Sequence, residues 1–269
     1  MVINLKNRKV VKIEGKDKYS FLQGLITNDI NKVENGPIYT ALLSAQGKFL
    51  FDFFICKRGG IFFLTPEKDR FDDFIKKLRI YKLRSDISIE PLEGWSVYAD
   101  LSMKPPLSKQ QENYLSFLDP RDERMGNIIL TAESLEPAGT MADYDTKRID
   151  LCIPDGSQDM PIDKAIILEN RLDELKAIDW DKGCYLGQEL MARTKHRGLV
   201  RKTLMKVIFE GSPPENNETL FFEGAKAGSM RTSCKGKGLA LLRIEIAKKS
   251  RDEDKPLTSE SGKKVFITS

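Results

Sequence analysis

The chain has 269 residues, with 44 lysines and arginines against 40 aspartates and glutamates, one histidine and four cysteines. At about 150 residues per domain this length predicts roughly two domains. A content of 40% hydrophobic and 31% charged residues excludes wholesale disorder, and a net charge of +4 is too small for a globally basic nucleic-acid binder.

No apolar run approaches the ~18–20 residues that cross a bilayer. The most apolar stretch, Phe49–Cys56, is interrupted by Asp52, so no membrane partner is expected. The opening Met-Val-Ile-Asn-Leu-Lys carries no apolar leader core, so export is not expected. Cys56, Cys152, Cys184 and Cys234 are scattered, which fits neither a zinc or iron–sulfur ligand spacing nor a disulfide scaffold. With a single histidine, His196, the expectation is no stably bound metal and a reducing cytosolic setting.

In chain order, Val10–Ile13 reads as a strand, and Asp17 is placed to cap a short helix with Tyr19, Leu22 and Ile26 on one face. Tyr39–Ala45 and Phe49–Cys56 read as strands joined by a turn at Gln46-Gly47-Lys48, with a third strand at Gly60–Leu64. Phe71, Phe74, Ile75 and Leu78 within Glu67–Leu83 have the spacing of an amphipathic helix. Strands follow at Ile87–Glu90 and Trp95–Ala99, then a polar loop from Ser102 to Asn113, a strand at Gly126–Thr131 and a weakly periodic helix within Glu133–Ile149. Beyond a boundary near Gly198–Lys202, Leu204–Phe209, Thr219–Phe222, Gly238–Ile244 and Val265–Thr268 are short apolar runs that read as a small all-β module. The charge-rich Lys248–Lys264 reads as a solvated loop.

The densest signal runs from Asp179 to Gly198. Gly183 favours a tight turn, Cys184 follows at once, and Gly187–Lys195 reads as a helix. A thiol just ahead of a helix N-terminus, with Lys182 beside it, is placed to ionise readily. The alternative is a buried, inert thiol. Downstream, Arg193, Lys195, Arg197, Arg201, Lys202 and Lys206 form a local basic patch. It reads either as a site for an anionic ligand or as a solvated face whose acidic partners come from elsewhere in the fold.

Lys182-Gly-Cys-Tyr-Leu-Gly-Gln-Glu189 resembles the signature K-G-C-[FY]-x-G-Q-E of the YgfZ family of folate-binding, iron–sulfur-cluster-related proteins. The continuation Ala192-Arg-Thr-Lys-His-Arg-Gly198 is similar to the mitochondrial and alphaproteobacterial branch. Tyr19-Ser-Phe-Leu-Gln-Gly24, Thr27-Asn-Asp29 and Leu43–Asp52 resemble other stretches of that family, so the likeness covers roughly residues 1–205. It implies an α+β fold shared with the T-protein of the glycine cleavage system: a ring of two mixed α/β subdomains within residues 1–200, closed by a small β-barrel over 201–269.

The resemblance also implies function. Cys184, with Lys182, would be the reactive thiol of a motif that includes Gly183, Tyr185, Gly187, Gln188 and Glu189. Arg148-Ile-Asp150 looks like the T-protein's Arg-x-Glu pattern shortened by one methylene, which would set Asp150 on the pterin edge of tetrahydrofolate with Tyr144 stacking on it. A surface pairing of Asp150 with Arg148 or Lys147 is the plainer alternative. The T-protein's catalytic Asp-Asp pair stands here as Phe51-Asp52, which puts aminomethyl transfer in doubt. The expectation is a folate-binding accessory factor in [4Fe–4S] cluster assembly or repair, with assembly proteins or client enzymes as partners. The alternatives are a one-carbon transferase using Asp52 and an RNA-associated module using the basic patch, although nucleic acid is not favoured.

Overall fold

The computed structural model describes residues 1–102, 104–105, 113–196, 198 and 200–268. The chain runs β1 (Val2–Asn4), β2 (Val11–Glu14), α1 (Lys18–Gln23), β3 (Ile38–Leu43), β4 (Phe49–Arg58), β5 (Ile61–Leu64), α2 (Phe71–Lys82) and β6 (Ser88–Pro91). It continues through β7 (Ser96–Asp100), β8 (Tyr114–Leu118), β9 (Asn127–Thr131), α3 (Met141–Asp150), α4 (Gly156–Asp159) and α5 (Gln188–His196). The last segment comprises β10 (Lys202–Phe209), β11 (Thr219–Phe222), β12 (Ala225–Cys234), β13 (Lys237–Arg243), α6 (Ile244–Asp252), β14 (Leu257–Ser259) and β15 (Lys264–Ile267).

Three sheets organise these elements. One has the order β3-β4-β5-β2-β6, a second β1-β7-β9-β8, and the third is a closed barrel, β10-β13-β12-β11-β14-β15. The α+β class and the C-terminal barrel are those expected. Closure removes the edges that six short strands would otherwise expose.

Strand β4 dictates where the core and the polar interior lie. Its first eight residues, Phe-Leu-Phe-Asp-Phe-Phe-Ile-Cys, are all buried, so the strand is covered on both faces. Side chains alternate between faces along a strand. Phe51, Phe53 and Ile55 pack with α1 and α2, whereas Phe54 and Cys56 face the second sheet and the 153–191 segment. Asp52 shares the parity of Phe54 and Cys56, so its carboxylate lies in the interior between sheets. Each buried phenylalanine contributes about 1.5–3 kcal/mol, enough to hold one aspartate in place if that aspartate finds partners.

Helix α2 buries Phe71, Phe74, Ile75 and Leu78 as its spacing predicts, with Asp72 and Asp73 in the first turn and Arg79 and Lys82 in the last, the arrangement the helix dipole favours. It begins at Phe71 rather than Glu67, because the backbone around Glu67 is bridged to Arg8 (Lys68 N–H to Asn7 O, 2.7 Å; Lys9 N–H to Pro66 O, 3.1 Å), while the Glu67 carboxylate accepts from the N–H of Ser157 (2.7 Å) and its hydroxyl (2.5 Å). Asp17 precedes α1 but makes no side-chain cap; it accepts instead from the N–H of Asp86 at 2.8 Å. The charge-rich stretch read as a loop contains most of α6 together with β14. Most of the 102–113 loop lies outside the described residues.

Candidate functional site

The segment around Cys184 is built on backbone contacts between distant parts of the chain. Asp179 opens it, accepting from the N–H groups of Asp181 (2.8 Å) and Lys182 (3.1 Å) and pairing with Lys32 at 2.8 Å. Lys182 then turns inward. Its ammonium donates to the carbonyls of Gln23 (2.9 Å), Ile26 (2.6 Å) and Asn28 (2.8 Å). An ammonium has three donors, and all three are used. Burial pushes Lys182 down to about 8, against the pull of Asp29 and Asp179. The expected role beside the thiol is therefore corrected: Lys182 ties its loop to the end of α1 and the turn after it.

The loop is pinned further along. Leu186 N–H donates to Gly24 O at 3.0 Å, and the Gln188 side chain accepts from Tyr185 N–H at 3.3 Å. Tyr185 is buried, with the Lys182 ammonium 5.0 Å from its ring centre. Gly187 adopts φ +83°, where a Cβ would lie 2.5 Å from Ser44 O and 3.0 Å from Gly47 Cα. Cys184 is exposed between these anchors, four residues ahead of α5. Gly183 has no strained φ and nothing within 4 Å of a Cβ, so the turn does not require it. Glu189 is exposed, with Arg193 3.6 Å away.

The residues expected to cradle a pterin do not converge. Tyr144 is buried, and its hydroxyl accepts from Arg121 (2.8 Å), which also forms a buried pair with Asp119. Arg148 is consumed by Asp145 (2.6 Å), Asp159 (2.8 Å) and Thr232 (2.8 Å). Asp150 faces the barrel, with both oxygens 2.8 Å from the Lys237 ammonium. The physical reason is helical geometry: residues six apart on α3 point in different directions, Tyr144 into the core and Asp150 onto β13. Among the described residues, no hydrogen bond or ion pair joins α3 to the Cys184 loop. These three side chains, each engaged within the fold, do not fit tetrahydrofolate.

Asp52 sits in a buried ion cluster that sequence reading did not assemble. Its Oδ2 accepts from Arg8 (3.1 Å) and from Tyr39 Oη (2.8 Å), and Arg8 also pairs with Asp155 at 3.1 Å. Burial opposes the Arg8 charge, but Asp52, Asp155 and Glu67 outweigh it and raise the guanidinium above its ordinary value. Burial, then Asp52, pushes the Glu67 carboxyl up, against Arg8. A Cβ on Gly156 would strike both Glu67 Oε1 and Asp52 Oδ1, so the two carboxylates face the same glycine. Asp52 Oδ1 has no hydrogen-bond partner, and the residue is fully buried. Asp52, a lone carboxylate within an apolar run, is the member of this cluster that the sequence marks; Arg8, Tyr39, Glu67, Asp155 and Gly156 are distant in the chain and are brought to it by the fold.

The basic patch is partly engaged by groups from within the fold. Lys195 lies 3.7 Å over the Trp180 ring and Lys206 is 3.9 Å from Asp150. Arg197 lies outside the described residues.

Three comparisons bear on this geometry. Residues 201–268 match the family model described as the CAF17 C-terminal beta-barrel domain. The mouse protein named iron-sulfur cluster assembly factor IBA57, mitochondrial, is 33% identical, with 91% of this chain and 78% of that protein covered. The human protein of the same name is 30% identical over the same shares. The crystal structure of the glycine cleavage system aminomethyltransferase T from Bartonella henselae superposes with a TM-score of 0.76, covering 100% of this chain and 84% of that one, at 12% identity. At that identity the likeness is one of fold. The relatives are named mitochondrial, which points to the mitochondrion and corrects the cytosolic expectation. Four unpaired cysteines ask only for a reducing setting, and that does not single out the cytosol.

Proposed function

The chain belongs to the family of IBA57 iron–sulfur cluster assembly factors, and from that premise we propose that it serves cluster assembly through the Cys184 thiol. The observation that carries this is exposure. Cys56 is buried, and burial pushes its thiol up to about 12. Cys152 is half-buried and likewise raised, by burial first. Cys234 is half-buried, with its sulfur on Ala142 O at 3.3 Å. Cys184 alone of the four free cysteines is exposed, and it is held on a loop fixed at both ends.

Thiolate sulfur is the usual protein ligand of iron–sulfur clusters, and a cluster takes four protein or thiol ligands. Among the described residues no group of three or more His, Cys, Asp or Glu could hold a metal ion. One exposed thiol therefore supports shared custody: Cys184 supplies one ligand to the cargo while a donor or client supplies the others. Lys182, Gln188 and Gly187 are positioning residues that keep the thiol forward. The aminomethyl-transfer alternative would need Asp52 open to substrate, and Asp52 is sealed beneath Arg8 and Tyr39.

The test is reconstitution of the full chain with ferric iron, sulfide and glutathione, the ferric ion supplying the oxidised iron of the cluster and the glutathione thiols standing in for the missing ligands. Wild type, Cys152→Ser and Cys234→Ser should retain a visible thiolate-to-iron absorption band after gel filtration, and Cys184→Ser should lose it. Equal retention by Cys184→Ser would overturn the assignment.

A further inference from the structure

The C-terminal end of α2 carries an arrangement that cluster assembly does not use. Ile80 and Leu83 are 57% and 86% exposed, the most exposed large hydrophobic side chains among the described residues. Ile80 lies in the last turn of α2, and Leu83 is the residue that follows its end. Around them, residues 76–84 supply Lys76, Lys77, Arg79, Lys82 and Arg84 and no carboxylate. Among the described residues none of these five cations forms an ion pair, although most other parts of the surface are laced with them. Lys77 rests on the Tyr81 ring. Leu83 ends the helix with φ +44°, a backbone that a leucine does not choose freely and that leaves its side chain in solvent.

We propose that this end of α2 adsorbs to a bilayer surface bearing acidic headgroups, with Ile80 and Leu83 entering the headgroup–acyl boundary and Lys76, Arg79 and Arg84, the exposed cations of the stretch, lying among the headgroups. Charge complementarity selects the occupant, and the pattern of charge separates a bilayer from a protein. The core of a protein interface is depleted of charge and ringed by a polar rim. Here the cations stand between and beside the two aliphatic side chains. A headgroup layer accepts that mixture, because lysine and arginine bury their stems and keep their heads in water. Asp72 lines the same exposed strip as Lys76, Arg79 and Ile80 and offsets part of that charge, but Asp72 and Asp73 lie about 15 Å from Leu83, where Lys82 and Arg84 stand, at ~1.5 Å per residue. That is about twice the ~8 Å screening length at physiological salt. Asp86 is nearer, but it pairs with Lys16 at 3.3 Å. No membrane partner was expected because no apolar span exists; adsorption at a surface needs none.

The experiment is flotation of the full chain with vesicles of phosphatidylcholine alone or with added phosphatidylglycerol. Binding should favour the anionic vesicles by at least about tenfold, each cation near the surface adding to it, and should fall as salt is raised. Ile80→Ser with Leu83→Ser should weaken it about tenfold or more, as should Lys76→Glu with Arg79→Glu. Lys226→Glu with Lys264→Glu, the same charge change on the exposed barrel surface, should leave it unchanged. These positions are exposed, so a thermal melt confirms that each variant is folded. Equal binding to both vesicles, no binding, full binding without Ile80 and Leu83, or equal loss in the barrel variant would each overturn the proposal. An absence of binding would leave the face to an acidic protein partner instead.

Discussion

Gly47 and Gly187 meet backbone to backbone: a Cβ on Gly47 would lie 2.8 Å from Gly187 O, and one on Gly187 would lie 3.0 Å from Gly47 Cα. Both have positive φ, +72° and +83°. The β3–β4 turn and the loop that presents Cys184 are therefore one structural unit, although 140 residues separate them. Gly187→Ala should combine left-handed strain of about 1–2 kcal/mol with a clash against Ser44 O, for a total of about 2–4 kcal/mol. Gly183→Ala, with open space and no strained φ, should change stability by less than about 0.5 kcal/mol. Urea melts of the two variants check this, and similar losses in both would show that the loop is held in some other way.

Lys182→Met removes the ammonium that donates to three converging carbonyls. Each unsatisfied buried acceptor costs about 1–3 kcal/mol, and water would reach some of them, so a loss of about 2–4 kcal/mol is expected. Hydrogen exchange should rise at Leu186 N–H, whose acceptor is Gly24 O. A stable variant with unchanged exchange there would remove Lys182 from the clamp.

The raised Glu67 carboxyl gives a pH dependence whose sign is fixed by linkage. Below the ordinary glutamate value, 4.5, the group is protonated in both folded and unfolded chains. As pH rises past that value the unfolded chain ionises first, so stability falls until the folded-state value is passed. Glu67→Gln should remove this fall. The variant should gain stability relative to wild type at neutral pH and show no such gain below pH ~4. Denaturant melts across pH read it directly, and a constant difference at all pH would contradict the account.

Arg8→Met leaves Asp52 and Asp155 buried with their shared cation gone, a change that costs about 3–5 kcal/mol. By contrast, Asp150→Asn weakens only a half-exposed pairing with Lys237 and should cost less than about 1 kcal/mol. Asp159→Ala removes the acceptor shared by Arg148, Asp155 N–H and Thr232 and should fall near the Arg8 value. Thermal melts of the three order them. An Asp150→Asn loss as large as that of Arg8→Met would return Asp150 to a central role.

Much of the fold was legible because its strands alternate clearly or are continuously apolar. β4 and the barrel strands β10, β11, β13 and β15 carry enough aliphatic and aromatic residues to be read by eye. β12, Ala-Lys-Ala-Gly-Ser-Met-Arg-Thr-Ser-Cys, is small and polar, and it is held by β11 and β13 rather than by its own pattern. β1 is three residues long and paired only with β7. The Cys184 motif was legible as a motif, but the direction of Lys182 was not. Its partners are carbonyls, which every residue has, and only the tertiary fold brings 23–28 beneath it. The α3 trio failed for a related reason: adjacency in sequence does not place residues 144, 148 and 150 on one face.

The central claim, that Cys184 is the thiol through which this chain serves cluster assembly, is tested most directly in cells depleted of their own relative of the family. These would be supplied with wild type, Cys184→Ser or Cys152→Ser at matched protein levels, and assayed for the activity of [4Fe–4S] enzymes. Wild type and Cys152→Ser should restore activity, and Cys184→Ser should fail while remaining folded and abundant. Full restoration by Cys184→Ser would contradict the account.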